Sequence, residues 1–232
     1  MRLRIFFSVI FFFVFVLWGI KARSQRPENL EPEPKKIDLA AELRIFGRGD
    51  SNYSYSISLC ADIPNERKPG QVLFQGETGH VFLILQKIRD ADTLSKVFGF
   101  YPKSGNLPTA FTRNVKSAVK DNSGRRYEAS VTRMLSPTEF DAMLDTAVAL
   151  ARPRYRLNKY NCYDYAVKVF NAVAREQKIV VKYSKFPFMF GRGGSPCSLY
   201  EVLAGLHASG GKWAEMIHFA ASVAPVSSAS PH

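Results

Sequence analysis

Two residues suited to acyl-transfer chemistry stand in informative places. One is Cys162, in the run Tyr160-Asn161-Cys162-Tyr163-Asp164-Tyr165-Ala166; the other is His80, in Gly79-His80-Val81-Phe82-Leu83. Asn161 and Asp164 are spaced to cap each other's amides, so a helix is predicted to start at Asn161 with Cys162 in its first turn. Unsatisfied amides and the positive end of the helix dipole favour a thiolate there and lower its pKa. The same amides can hold the oxyanion of a tetrahedral intermediate. A thiol nucleophile also needs a proton acceptor, most often histidine. The chain offers His80, His207, His218 and His232. His232 ends the chain, and His207 and His218 fall in or beside amphipathic helical segments, where a surface histidine is the simpler reading. His80 differs: it follows the polar loop Gly76-Glu77-Thr78-Gly79 and opens an apolar run, the mouth of a core strand.

The elements that must position this pair are legible in outline. Tyr53 to Cys60 alternates with period two, predicting a half-buried strand. Val72-Leu73-Phe74 is a short apolar run, and His80 to Leu85 reads as a buried strand. Arg89 to Asp92 makes a turn, and Lys96 to Tyr101 returns as its hairpin partner, stopped by Pro102. A further strand is predicted over Tyr127 to Met134. Helices follow. Ser136-Pro137-Thr138-Glu139 is a capping box with proline at the first helical position, ahead of Phe140, Met143, Leu144, Ala147 and Val148 at helical spacing. The helix from Asn161 has the stripe Ala166, Val169, Phe170 and Val173. Another is expected from Pro196, with Ser198 to Glu201 as its capping box, and a last one from Lys212 to Ala221. Strands first and helices afterwards predict an α+β fold.

Composition sets the outer limits. The 232 residues are 46% hydrophobic, enough for one domain with a real core. The formal charge is +12, a basic surface suited to anionic partners. Arg2 and Arg4 precede an uncharged apolar run from Ile5 to Ile20 and then Ala22-Arg23-Ser24. That is the layout of a signal peptide over 1–24, the alternative being a retained membrane anchor at residues 5–20. Either delivers the domain outside the cytoplasm, whether periplasmic, secreted or anchored, and argues against nucleic acid as a partner. Residues 25–36 read as a proline-rich linker, 37–221 as the domain and 222–232 as a disordered tail. Of the three cysteines, Cys60 and Cys197 could bridge and leave Cys162 free, or all three could be reduced. No CxxC, HExxH or EF-hand spacing occurs, so neither metal nor cofactor is expected. Gly191 to Ser195 lacks the lysine of a phosphate loop and reads as a surface turn.

Gly79-His80-Val81-Phe82-Leu83 followed by Asn161-Cys162-Tyr163-Asp164-Tyr165-Ala166 resembles the circularly permuted papain-like superfamily, which includes bacterial cell-wall amidases and peptidases and the lecithin:retinol acyltransferase relatives. In that group a Gly-His-apolar strand precedes an Asn-Cys helix. The resemblance implies an antiparallel sheet packed against helices, with the catalytic cysteine at a helix N-terminus. It implies that Cys162 attacks an amide or ester carbonyl while His80 shuttles the proton, with Gly79, Asn161 and Tyr163 lining the substrate site. Relatives place a polar residue on the strand after the histidine to orient its ring. Here His80 should face the stretch Tyr101 to Ser104, which has no His, Asn, Asp or Gln, so Tyr101, Lys103 or Ser104 would have to serve, Tyr101 first because its hydroxyl can accept from the ring N–H. The expected substrate is anionic cell-envelope material, an amide bond in peptidoglycan first. A lipid headgroup substrate for an acyltransferase or phospholipase, and a catalytically inactive binding module, are the alternatives.

Overall fold

The computed structural model describes residues 34–103, 113–174, 177–187 and 191–229; the predicted leader over 1–24 and the linker as far as residue 33 lie outside them. After a short helix, α1 (Leu39–Leu43), come β1 (Ser54–Asp62), β2 (His80–Arg89), β3 (Asp92–Pro102), β4 (Ser117–Asp121) and β5 (Arg126–Leu135). Then follow α2 (Pro137–Leu150), α3 (Cys162–Ala172), the short pair β6 (Ser184–Lys185) and β7 (Arg192–Gly193), α4 (Pro196–Ala208), α5 (Lys212–Met216) and β8 (Ile217–Val223). Six strands make one antiparallel sheet in the order β4-β3-β2-β1-β5-β8, with helices packed on it. The fold is α+β.

Register divides the side chains between two faces. Ile57 pairs with Leu85, Leu59 with Leu83 and Ala61 with Val81 across β1 and β2, and Leu83 pairs with Phe98 of β3. This row packs against Phe140 and Met143 of α2, Ala166, Val169 and Phe170 of α3, and Leu199 and Leu203 of α4. Phe170 is fully buried, so its truncation to alanine should cost about 3–5 kcal/mol. The opposite row (Cys60, Phe82, Ile84 and Val97) forms a second, smaller core closed by Ala224 and Tyr127. The strand over Tyr53 to Cys60 is therefore not half-buried as its alternation predicts. From Tyr55 to Asp62 every residue of β1 is buried, because both faces of the sheet are covered there.

The C-terminus supplies part of that cover. The helix predicted to run to Ala221 stops at Met216, and Ile217–Val223 instead pairs with β5. Three β-branched or aromatic residues in that stretch (Ile217, Phe219 and Val223) suit a strand. Residues 224–228, predicted to be disordered, run on to the far side of the sheet. The Ala224 N–H donates to Arg125 O at 2.9 Å, the Ser228 N–H to Ser95 O at 2.8 Å, and the Val97 N–H to Ser227 Oγ at 3.0 Å. Buried Lys96 pairs with Glu42 and donates to Ser228 O at 2.7 Å. At the other end, the last linker residues line β4: the Asp121 N–H donates to Lys35 O at 2.8 Å and the Ile37 N–H to Val119 O at 3.0 Å. Both bind an otherwise open strand edge.

Two details of the helices differ from expectation. The box at Ser136–Glu139 and the box at Asn161–Asp164 both form. α4, however, is capped by Ser195, whose side chain accepts the Ser198 N–H at 3.0 Å, and not by Ser198. Val72 to Phe74 forms no strand, only a single bridge from Phe74 to Glu77.

Candidate active site

Cys162 is the first residue of α3, held there by a closed hydrogen-bond box. Asn161 Oδ1 accepts from the Tyr163 N–H at 2.8 Å and the Asp164 N–H at 3.2 Å, while Asp164 Oδ2 accepts from the Asn161 N–H at 3.1 Å. Asn161 Nδ2 donates to Leu157 O at 2.6 Å and Gly194 O at 2.8 Å, fastening the helix start to two flanking loops. Gly194 can come this close because it has no side chain; a Cβ there would lie 2.0 Å from the Tyr163 ring. Gly193, Gly194 and Ser195 are thus buried against the start of α3, while Gly191 and Arg192 are exposed, so the expected surface turn covers only the first part of the segment. The box also consumes amides that were expected to be free for an oxyanion. Of the residues from 161 to 164, Cys162 keeps its own N–H, and that group faces the Tyr155 hydroxyl.

The sulfur meets the sheet at the first peptide of β2. The nearby Val81 and Tyr163 N–H groups and the Tyr155 hydroxyl favour the thiolate. Burial outweighs them and raises the thiol pKa above its ordinary value, so the lowered pKa expected from the helix position is overturned. The physical reason is desolvation: Cys162 is only 5% exposed, too dry for the helix end to compensate. Tyr155 is itself locked: its N–H and C=O both bridge Val115 at 2.9 Å, and its ring stacks on Phe100 at 5.6 Å between centroids.

His80 lies one peptide from the amide that meets the sulfur. It is paired with Asp62 across β1 and β2, and its ring continues the row of Phe82 at the end of β2. The ladder between β2 and β3 begins at Phe82 and Gly99, so the His80 end of the two strands is unzipped. No hydrogen bond joins the imidazole to the thiol. His80 is 5% exposed, and burial holds its pKa well below 6.5, reinforced by the positive charges of Arg125 and Lys120. The imidazole is therefore neutral at neutral pH. Arg125 in turn is paired with buried Asp62 at 2.5 Å.

Tyr101 does face His80, but by its ring. The two rings stack at 4.1 Å with 21° between planes, so the hydroxyl cannot accept from the ring N–H as expected. That hydroxyl instead accepts from Asn122 Nδ2 at 2.5 Å, and burial pushes its pKa up to about 12. Asn122 is the residue that sequence reasoning missed. It follows β4, anchored by its N–H to Val97 O at 3.0 Å. Its Oδ1 and His80 Nε2 are both buried without a partner, and both crowd Gly99: a Cβ there would lie 2.6 Å from the first and 2.3 Å from the second. Both atoms therefore border the same small space at Gly99, and no hydrogen bond joins them. Asn122 escaped notice because β4 is short and was not predicted.

The three residues expected to line a substrate site each have a role in the scaffold. Asn161 is buried with its side chain fully committed, and Tyr163 is buried with its hydroxyl accepting the Lys182 N–H at 3.0 Å. Gly79 adopts φ +68°, where a Cβ would strike Asp62 O at 2.1 Å, so it forms the turn into β2. Cys60, Cys162 and Cys197 are all free and buried, with no Cys60–Cys197 bridge. Cavities of about 210, 460 and 600 Å³ open among the described residues, and neither Cys162 nor His80 lines these. Among the described residues no cluster of three His, Cys, Asp or Glu side chains could hold a metal. No protein-family model, curated protein or solved structure matches the chain.

Proposed function

We propose that the protein is a thiol hydrolase of the permuted papain type, exported and cleaving an amide bond in cell-envelope material. The observation that carries this is the meeting of a helix-capping thiol with the first peptide of the strand that His80 opens, with the imidazole and the Asn122 carboxamide both crowding Gly99. Cys162 and His80 start neutral. As Sγ attacks the carbonyl carbon, its proton passes to the His80 imidazole, and the Cys162 N–H and Tyr155 hydroxyl stabilise the oxyanion. His80 then protonates the leaving amine, the C–N bond breaks, and a thioester remains. Water, deprotonated by His80, attacks the thioester and releases the acid, returning the proton to the thiol. Nucleophile–base contacts are often long before substrate binds, and this reading requires substrate to close that gap and open the buried site.

Alkylation of the three thiols by iodoacetamide across pH, with and without His80→Ala, tests the proposal. Cys162 should react first, and the His80 change should shift its pH profile. Equal reaction at Cys60, Cys162 and Cys197, or a profile indifferent to His80, would sink it. Muropeptide hydrolysis should vanish in Cys162→Ala. Burial of both groups favours one other reading, an inert thiol in a closed binding scaffold, for which Cys162 would resist alkylation until the chain unfolds.

A further inference from the structure

The segment between α3 and α4 displays apolar side chains to solvent in a way that a domain does not need for its own stability. Val180, Val181 and Tyr183 are 68%, 49% and 45% exposed. They are not on a slack loop. The Ile179 N–H donates to Asn171 Oδ1 at 2.8 Å, and Asn171 Nδ2 donates to Ile179 O at 2.9 Å. The Lys182 N–H donates to the Tyr163 hydroxyl at 3.0 Å, and Arg192 donates to Tyr183 O at 3.0 Å. Ile179 and Phe186 are buried as pegs on either side. The segment is thus held in shape while its valines point outward, and little ordering entropy would be lost on docking.

The charges around these valines select the partner. Residues 178–186 contain Lys178, Lys182 and Lys185 and no acid, and all three lysines are exposed. Lys182 is paired with Glu201 at 2.7 Å on an exposed surface, a contact worth little that an anionic group could replace. Apolar side chains flanked by lysines match a bilayer interface: valines enter the acyl boundary while the ammonium groups stay among anionic headgroups. A protein partner would be expected to present acids and a groove in fixed positions, whereas a lipid surface needs only this mixture. The sequence adds an uncharged apolar run from Ile5 to Ile20, which as an anchor would keep the domain beside a membrane.

We propose that Val180, Val181 and Tyr183, with Lys178, Lys182 and Lys185, form a docking surface for an anionic lipid bilayer. The surface is joined to the start of α3 through Tyr163 and through the Tyr183 hydroxyl, which donates to Asp164 Oδ1 at 3.4 Å, so docking would present α3 and Cys162 towards the membrane. The proposal does not depend on thiol chemistry.

The test uses the full chain in a Cys162→Ser background, which removes the one thiol proposed to react, with an environment-sensitive fluorophore on Val181→Cys. The remaining cysteines, Cys60 and Cys197, are buried. A control carries the dye on Ala91→Cys, in the hairpin turn roughly 30 Å along β2 from the His80 end. Vesicles of phosphatidylcholine, with and without phosphatidylglycerol, contain brominated acyl chains as quencher. The expected result is several-fold stronger quenching at position 181 than at position 91 when phosphatidylglycerol is present, lost when Lys178 and Lys185 become Glu. Equal quenching at the two positions, or quenching indifferent to the anionic lipid and to the lysines, would overturn the docking surface. So would no quenching at position 181. None of these outcomes bears on whether Cys162 hydrolyses an amide.

Discussion

At the scale of single residues the candidate site is governed by dryness. Cys162 has the helix-end position that ordinarily makes a reactive thiolate, yet its burial raises the pKa and leaves a neutral thiol, as burial also leaves the His80 imidazole neutral. Proton transfer during attack, not a preformed ion pair, is what such a pair can offer. His80 makes a prediction about acid. Its folded pKa is below its unfolded one, so the unfolded chain binds more protons as pH falls. The associated stability is complete above about 6.5, the ordinary histidine value, and is lost progressively as pH drops below it. Urea midpoints between pH 7.5 and 5 should fall in the wild type and much less in His80→Gln; parallel slopes would show that another group controls the acid limb. Gly99 makes a second prediction. Its added methyl would lie 2.3 Å from His80 Nε2, so Gly99→Ala should cost about 1–3 kcal/mol of stability. It should also change the pH profile of Cys162 alkylation by displacing the imidazole, whereas a folded, wild-type-like profile would mean that ring and asparagine are not a unit.

At the scale of elements, α3 is positioned by its cap more than by its length. Asn161 satisfies two amides and ties Leu157 and Gly194 to the same point. Loss of an ordinary N-cap costs about 0.5–2 kcal/mol, and here two buried carbonyls lose their donor as well, so Asn161→Ala should fall at or above the top of that range. Asn161→Asp keeps the acceptor for the amides but loses the donor, and should recover only part of the stability in thermal unfolding. If both variants matched the wild type, the cap would not be what positions Cys162. The unzipped end of β2 and β3 matters at this scale too. Pairing stops at Phe82 and Gly99, and the His80 and Tyr101 rings close over the opening.

At the scale of the whole molecule, the two chain ends complete the sheet. Residues 35–37 line β4, and residues 224–228 cross to β3 and shut the second core over Cys60, Phe82 and Val97. A chain ending at Val223 should therefore lose stability and expose that core. The measurements are an earlier urea midpoint together with rapid alkylation of Cys60, whose pKa burial now raises far above its ordinary value. Unchanged protection of Cys60 in the shortened chain would contradict the strap. Basic charge is also a whole-molecule property: +12 favours anionic surfaces, and the lysines of residues 178–186 give that attraction a defined face.

Local chemistry alone determined a good deal of this protein. The caps at Ser136 and Asn161, the hairpin through residues 89–92 and the stripe of α3 all follow from short-range spacing, and each forms. So does the facing of His80 and Tyr101, which the hairpin register dictates. Tertiary structure decided what depends on residues far apart in the chain. Asn122 reaches His80 only because β4 lies beyond β3, and a five-residue strand carries too little pattern to be read. The C-terminal segment is polar and small, yet two serines bind backbone groups of β3 that no nearer segment supplies. Cys162 is buried because α3 packs its first turn against the sheet, and desolvation depends on everything that surrounds a group. A helix start can be read from a few neighbouring residues, whereas the dielectric around its thiol is set by the assembled fold.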